Sequence, residues 1–249
     1  MRTLLTLIFI FLAQSGFANC RHALVLALDV SGSVSPAEYE LQKKGLAKAL
    51  LDPEVADIIL SDPESFVHLA VFEWSAFHHR DLIQNWITLD NYGTLEDVAQ
   101  RLDDHQIIGA AWKTGIGKTI QFGFDLLARR EFCERRTIDI SGDGKNNQGI
   151  SPQDAYAGLP DNDIVVNALV IGNVTSNSPQ KRKVQEREKN ELLDYYEDQV
   201  IRGQGAFTIL IENFDDYAEG IKRKLIRELS PLALSSLPVQ KVANNINLR

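Results

Sequence analysis

Residues 22–33 read HALVLALDVSGS, and the change of character inside that stretch decides the fold. The run from Ala23 to Leu28 is apolar without alternation and too short for a core helix, which predicts a strand buried on both faces. Oxygen-bearing side chains follow at alternate positions, Asp29, Ser31 and Ser33, and Pro36 then opens a helix. A buried strand that ends in a polar turn and feeds a helix at once is the repeating piece of an open α/β sheet. Ligands of such sheets sit outside the carboxyl ends of the strands. One carboxylate and two hydroxyls on one turn suit a hard cation such as Mg²⁺, which takes few protein oxygens and keeps several waters. Taken alone, the same residues read first as the N-cap of the helix that follows.

Outward from this stretch the strand and helix patterns alternate. Residues 36–51 have helical spacing and stop at Asp52-Pro53. Residues 66–74 (FVHLAVFEW) form a second buried strand, and residues 82–89 (LIQNWITL) a third, whose partial alternation marks an edge. Residues 94–104 are an amphipathic helix capped by Thr94, with His105 at its end. A glycine-rich turn from Gly109 to Lys118 leads into a helix over 116–130. Residues 136–143 (RTIDISGD) are a strand that ends, like the first, on an acidic residue, Asp143. A short helix at 152–158, a strand at 163–171, a charged helix at 179–200, a strand at 206–211 and a helix at 214–229 complete the chain. The last helix has acidic residues first and basic residues last, matching the helix dipole. This order predicts one α/β domain over 19–230, an open, doubly wound, mostly parallel six-stranded sheet with helices on both faces.

The ends read differently. Residues 1–18 carry Arg2, an apolar run from Leu4 to Ala13 and the small-x-small sequence Gly16-Phe17-Ala18, which predicts a signal peptide cleaved after Ala18 and a periplasmic or secreted product. Residues 231–249 have low charge and no periodicity and read as a mobile tail. No later apolar run approaches the ~20 residues of a transmembrane helix. Without the leader, 25 Lys and Arg face 34 Asp and Glu. That balance argues against nucleic acid and anionic membrane surfaces as partners.

Two cysteines in an exported chain suggest one disulfide. Cys20 stands nine residues before Asp29 and Cys133 ten before Asp143, so neighbouring parallel strands would place both at the amino edge of the sheet. Two motifs are set aside. His78-His79 would point opposite ways on a strand and reads as a solvated loop. Gly117-Lys118-Thr119 lacks both the glycine of a phosphate-binding loop, Trp112 standing in its place, and the buried strand that should precede it.

Three oxygen-bearing loops remain, Asp29/Ser31/Ser33, Thr114 and Asp143, and their order resembles the metal-ion-dependent adhesion site of von Willebrand factor A domains, found also in integrin I domains. Asp29-Val30-Ser31-Gly32-Ser33 matches that family's Asp-x-Ser-x-Ser, Thr114 falls at its second-loop Thr, and Asp143-Gly144 at its Asp-Gly. Within the family the chain looks like an uncharacterised bacterial group of exported members. Two departures stand out: Trp112-Lys113 where Gly-Gly is usual, and the uncommon third loop Ser141-Gly142-Asp143-Gly144-Lys145-Asn146-Asn147.

The resemblance implies Mg²⁺ or Mn²⁺ bound directly by Ser31 and Ser33, by Thr114 directly or through water, and by Asp29 and Asp143 largely through waters. It implies a non-enzymatic module that captures an acidic residue of a partner protein. A Mg²⁺-dependent hydrolase and a metal-free scaffold are the competing readings. The hydrolase lacks an assignable nucleophile or base, since no histidine lies within the three loops. By the integrin comparison, the closing helix at 214–229 would be the element that shifts when the ion gains a ligand.

Overall fold

β1 (Asn19–Asp29) pairs in parallel with β2 (Ser65–Trp74) on one side and with β4 (Arg136–Gly142) on the other. It is interior to the sheet, and this is why its apolar residues do not alternate. The structure is a computed structural model that describes residues 19–76, 79–107, 112–160 and 163–230. The expected signal peptide, His78, Gly109 and the tail from Pro231 lie outside the described residues.

The sheet runs β3-β2-β1-β4-β5-β6, with β3 (Arg80–Leu89) antiparallel at one edge and β5 (Ile164–Ile171) and β6 (Thr208–Ile211) parallel at the other. Side chains on β1 divide the core into two layers. Leu24, Leu26 and Leu28 face α1 (Pro36–Leu50), α2 (Pro53–Leu60), α3 (Tyr92–Asp104) and α7 (Tyr217–Leu229). Val25 and Ala27 face α4 (Ile116–Leu127), α5 (Pro152–Ala157) and α6 (Pro179–Tyr195). The doubly wound α/β sheet expected from the alternating patterns is therefore the observed fold.

Local chemistry moves some boundaries. Asp52-Pro53 ends α1 but also starts α2, because Asp52 caps the Glu54 amide (3.0 Å) and Pro53 takes the first-turn position that needs no N–H. Asn91, not Thr94, caps α3: its side chain accepts from the Thr94 amide at 3.1 Å, and Thr94 lies inside the first turn. The charged helix over 179–200 is α-helical only to Tyr195, and Tyr196–Val200 widens into a π turn that buries Tyr196. Lys118, in the rejected phosphate-loop motif, donates to the Gln121 side chain at 2.8 Å.

α7 is held to the sheet by buried polar groups. Lys224 is fully buried, 2.9 Å from Asp139 of β4 and 3.1 Å from Glu228 one turn on, and Glu228 accepts from Asn167 of β5 at 2.6 Å. Burial pushes the Asp139 carboxyl well up, with Lys224 opposing and Glu228 adding to the shift. At the helix start, the Tyr217 and Ser141 hydroxyls lie 2.9 Å apart.

Cys20 and Cys133 form a disulfide with Cα atoms 4.6 Å apart, about one strand spacing, at the amino edge of the sheet. The Glu134 amide donates to the Cys20 carbonyl at 2.9 Å, so the bridge lies where the chain enters β4 beside β1. It closes a sequence separation of 113 residues. Chain entropy for such a loop gives about 4–5 kcal/mol. Urea unfolding of Cys20→Ser/Cys133→Ser against wild type should show a loss of that order. A change below ~1 kcal/mol would show that the unfolded chain is already compact there.

Candidate metal centre at the carboxyl end of the sheet

The ends of β1 and β4, adjacent in the sheet, bring Asp29 and Asp143 to one place. Asp29 alternates with Leu28 and faces the α4–α6 side, where it is fully buried. Its Oδ1 accepts the Ser31 amide at 2.7 Å, a tight Asx turn that fixes the loop. Its backbone carbonyl accepts from Gln42 of α1 at 2.8 Å. The loop then turns Ser31 Oγ to within 3.2 Å of Ser33 Oγ, and Ser33 donates to Asp143 Oδ1 at 2.6 Å.

Thr114 enters from the second loop. Its amide donates to Asn147 Oδ1 at 2.9 Å, and its carbonyl accepts the Asn147 amide at 2.9 Å, so the second and third loops are laced together. Its hydroxyl lies 3.5 Å from where a Cβ on Gly144 would stand, directly beside Asp143. The five residues singled out in the sequence are thus gathered into one cluster, Asp29, Ser31, Thr114 and Asp143 buried and Ser33 exposed at its rim.

Three residues that the sequence did not single out complete it. Asn173 sits just past β5 with φ of 52°, a left-handed backbone uncommon outside glycine, and this directs its amide to Asp143 Oδ2 at 3.1 Å. Tyr196, on the π turn, donates to the Gly144 carbonyl at 3.2 Å. Tyr195 beside it accepts the Asn146 amide at 3.2 Å. Asn173, the one non-glycine at positive φ among the described residues, and the tyrosine pair carry no sequence signature of their own.

The unusual Trp112-Lys113 is accommodated from the first loop. A Cβ on Gly32 would stand 2.9 Å from the Trp112 Cα and carbonyl oxygen, so the absent side chain at Gly32 makes room for the second loop. The Trp112 ring remains 86% exposed at the rim.

The electrostatics follow from burial. The Asp29 carboxyl is pushed up to about 8, first by desolvation and then by the Asp143 charge, against the pull of the Ser31 hydrogen bonds and the Asp143 amide. Asp143 is also pushed up by burial, with Ser33 and Asn173 opposing. Asp29 Oδ2 is buried without a hydrogen-bond partner of normal geometry. Two desolvated carboxylates, one with an open oxygen, beside three hydroxyls make an all-oxygen donor set that fits a hard divalent cation. No histidine or cysteine side chain hydrogen-bonds to the five residues among those described. The hollow beside Asp143 and Asn173 is about 360 Å³ and shallow, whereas a larger one of about 530 Å³ lies at the opposite end of the sheet beside Arg135, Arg136, Arg202 and Arg227.

A family model described as "Protein of unknown function (DUF1194)" matches residues 19–233. The chain belongs to this family. No curated protein matches the sequence. Among solved structures, this family member is similar to proximal thread matrix protein 1 of the mussel byssus with a zinc-occupied MIDAS motif. The TM-score is 0.57 at 17% identity, over 84% of this chain and 48% of that one. It is also similar to a von Willebrand factor type A protein from Catenulispora acidiphila, with a TM-score of 0.54, 14% identity, and 84% and 43% of the two chains covered. A third is the pilus adhesin SpaC of Lactobacillus rhamnosus GG, with a TM-score of 0.53, 11% identity, and 84% and 30% covered. The chain spans less than half the length of each of these three. At such identities the likeness is one of fold, and the fold is that of a von Willebrand factor A domain.

Gly142 tests how tightly the cluster is built. A Cβ there would collide with the Tyr196 hydroxyl and stand 3.3 Å from Asp29 Oδ2. Gly142→Ala should cost about 1–3 kcal/mol by overpacking, and less in a Tyr196→Phe background. Equal costs in the two backgrounds, by chemical denaturation, would place the strain elsewhere.

Proposed function

We propose that this protein is an exported, metal-dependent protein-binding module of the adhesion type. Asp29, Ser31, Ser33, Thr114 and Asp143 hold a divalent cation, Mg²⁺ or Mn²⁺, at which an acidic residue of a partner protein is captured. The observation that carries the reading is the buried, unpartnered Oδ2 of Asp29 beside a second desolvated carboxylate. A buried charge without a counter-charge costs several kcal/mol, and a cation offsets it.

When bound, the ion supplies positive charge and an exchangeable coordination position for a partner carboxylate. The chain's own residues do the positioning. Ser31 and Ser33 present hydroxyls along one turn, Asn147 fixes the Thr114 loop, and Asn173 orients Asp143. Around them, the shallow surface and the exposed Trp112 suit a protein surface better than a small substrate. The zinc-occupied motif in the mussel protein and the adhesive role named for SpaC support the same reading by likeness of fold. Export is supported by the disulfide, which persists in oxidising compartments, and no helix among the described residues is long and apolar enough to cross a membrane.

Millimolar Mg²⁺ or Mn²⁺ should raise the melting temperature of the wild type and leave Ser31→Ala/Ser33→Ala unmoved. At a hundredfold excess over the dissociation constant the gain is about 2.7 kcal/mol. Equal shifts in the two proteins would refute the site. In pulldowns from envelope extract, capture should be lost with EDTA and with Asp29→Ala, and capture indifferent to both would refute the mechanism.

A further inference from the structure

On the other face of the sheet, a second group of ligating side chains converges on Glu73. β2 reads SFVHLAVFEW, and Glu73 is the single acidic residue in it, fully buried beside Leu28 of β1. His79, at the start of the return into β3, places Nε2 2.9 Å from Glu73 Oε1. His105, the residue that ends α3, places Nε2 3.0 Å from Glu73 Oε2. Asp81 stands directly opposite Glu73 in the antiparallel ladder of β2 and β3. One ligand atom each from Glu73, Asp81 and His105 lies within 4.8 Å of the others.

A hydrogen-bonded hub explains part of this group. Glu73 is well supplied, since the Tyr39 hydroxyl also donates to Oε2 at 2.6 Å. Asp81 is what the hub leaves over: among the described residues its carboxylate has no hydrogen-bond or ion-pair partner, although its backbone is part of the β2–β3 ladder. Like charges directly opposite in an antiparallel pair destabilise it. Lys43, the buried lysine of α1, does not relieve the pair, because its ammonium is engaged by the His105 carbonyl at 2.7 Å and Glu40 at 2.8 Å. A divalent ion between the carboxylates would turn the repulsion into a shared attraction.

The donor set names the ion. Two imidazoles with two carboxylates suit borderline metals of the zinc class, whereas Mg²⁺ takes oxygens. Donors around a tetrahedral Zn²⁺ stand about 3.4 Å apart, and the ligand atoms of Glu73, Asp81 and His105 already lie within 4.8 Å of one another, while His79 reaches Glu73 alone and would have to turn to join them. The imidazoles have the freedom for this, as their side chains are 12% and 15% exposed and sit at the ends of loops, while Glu73 is fixed from behind by Tyr39. Lys43, through the His105 carbonyl, braces the loop that carries that ligand, the supporting role usual around metal-bound histidine.

We propose that Glu73, Asp81, His79 and His105 form a second metal site, for a transition-metal ion of the zinc class, independent of the all-oxygen centre around Asp29. Its ion ties the β2–β3 turn and the end of α3 to the sheet. The Ser75 carbonyl just past Glu73 accepts the Gly115 amide at 2.9 Å, so the same turn also supports the Thr114 loop.

The test uses tag-free mature protein, stripped with a chelator and titrated with Co²⁺, whose visible absorption reports a four-coordinate nitrogen-and-oxygen environment. The wild type should develop the band at one equivalent, Zn²⁺ should abolish it, and millimolar Mg²⁺ should not. Ser31→Ala/Ser33→Ala should keep the band, whereas His105→Gln and Asp81→Asn should lose it with circular dichroism unchanged. Asp81 is exposed on the edge strand, so its variant keeps the test decisive if His105→Gln fails to fold. Absence of a band in the wild type, its retention in Asp81→Asn, or its loss only in the serine variant would overturn the proposal. The last result would leave the ion at the Asp29 centre.

Discussion

A carboxylate taken out of water at the end of the central strand constrains everything around it. Asp29 is fully buried, with one oxygen held by the Ser31 amide and the other left open. Its position is fixed from three directions. The Val30 amide continues the ladder onto the Trp74 carbonyl at 2.8 Å, Gln42 of α1 holds the Asp29 carbonyl, and β4 delivers Asp143 alongside. A carboxyl so placed takes either a proton or a cation, since burial and then the Asp143 charge push its pKa up to about 8. The sheet register is what converts an ordinary Asp-x-Ser-x-Ser turn into a charged pocket.

The parts of this arrangement that depend on nearby residues were legible in the sequence. The apolar run of β1, the oxygens after it, the edge character of β3 and the spacing of Cys20 and Cys133 before their acidic strand ends each report on a few adjacent positions, and each agrees with the structure. Boundaries failed where one residue has two uses. Asp52-Pro53 stops one helix and caps the next, and Thr94 is a capping residue by type, though a weaker one than Asn91, and lies three residues too far in. The supports of the candidate metal centre were illegible for another reason. Asn173 reaches Asp143 across 30 residues, and Tyr196 reaches Gly144 across 52, through backbone conformations that no local pattern announces.

The histidines show the same limit more sharply. From its sequence neighbours His79 reads as a solvated loop residue and His105 as a helix end, and His105 does end α3. Neither reading includes Glu73, which lies 6 and 32 residues away and collects both rings. A signal was available in β2, where a lone glutamate interrupts an apolar strand. A buried carboxylate has to be satisfied, and the residues able to satisfy it are those with imidazole or hydroxyl groups at the carboxyl end of the sheet.

Whether α7 moves with events at the cation site turns on energies set inside the sheet. The resemblance to integrin I domains implies such a shift, and α7 does reach the candidate centre, since Tyr217 meets Ser141 two residues before Asp143. Farther along, α7 is tied down by Lys224, fully buried against Asp139 and Glu228. Sliding the helix would draw that ammonium away from Asp139 without water to replace it. Separating a buried pair so that one charge is left alone costs about 3–5 kcal/mol. A partner can shift the equilibrium only by its difference in affinity for the two states. A contact that binds both positions of α7 with nearly equal strength leaves the helix where it is. Movement therefore requires either a partner whose preference exceeds the Lys224 anchor or a shifted position that gives Lys224 a new carboxylate. Among the described residues, Asp139 and Glu228 are the two carboxylates within salt-bridge distance of it. Glu228 travels with the helix, so it remains paired whichever way α7 moves, and the cost of a shift resides in Asp139 alone.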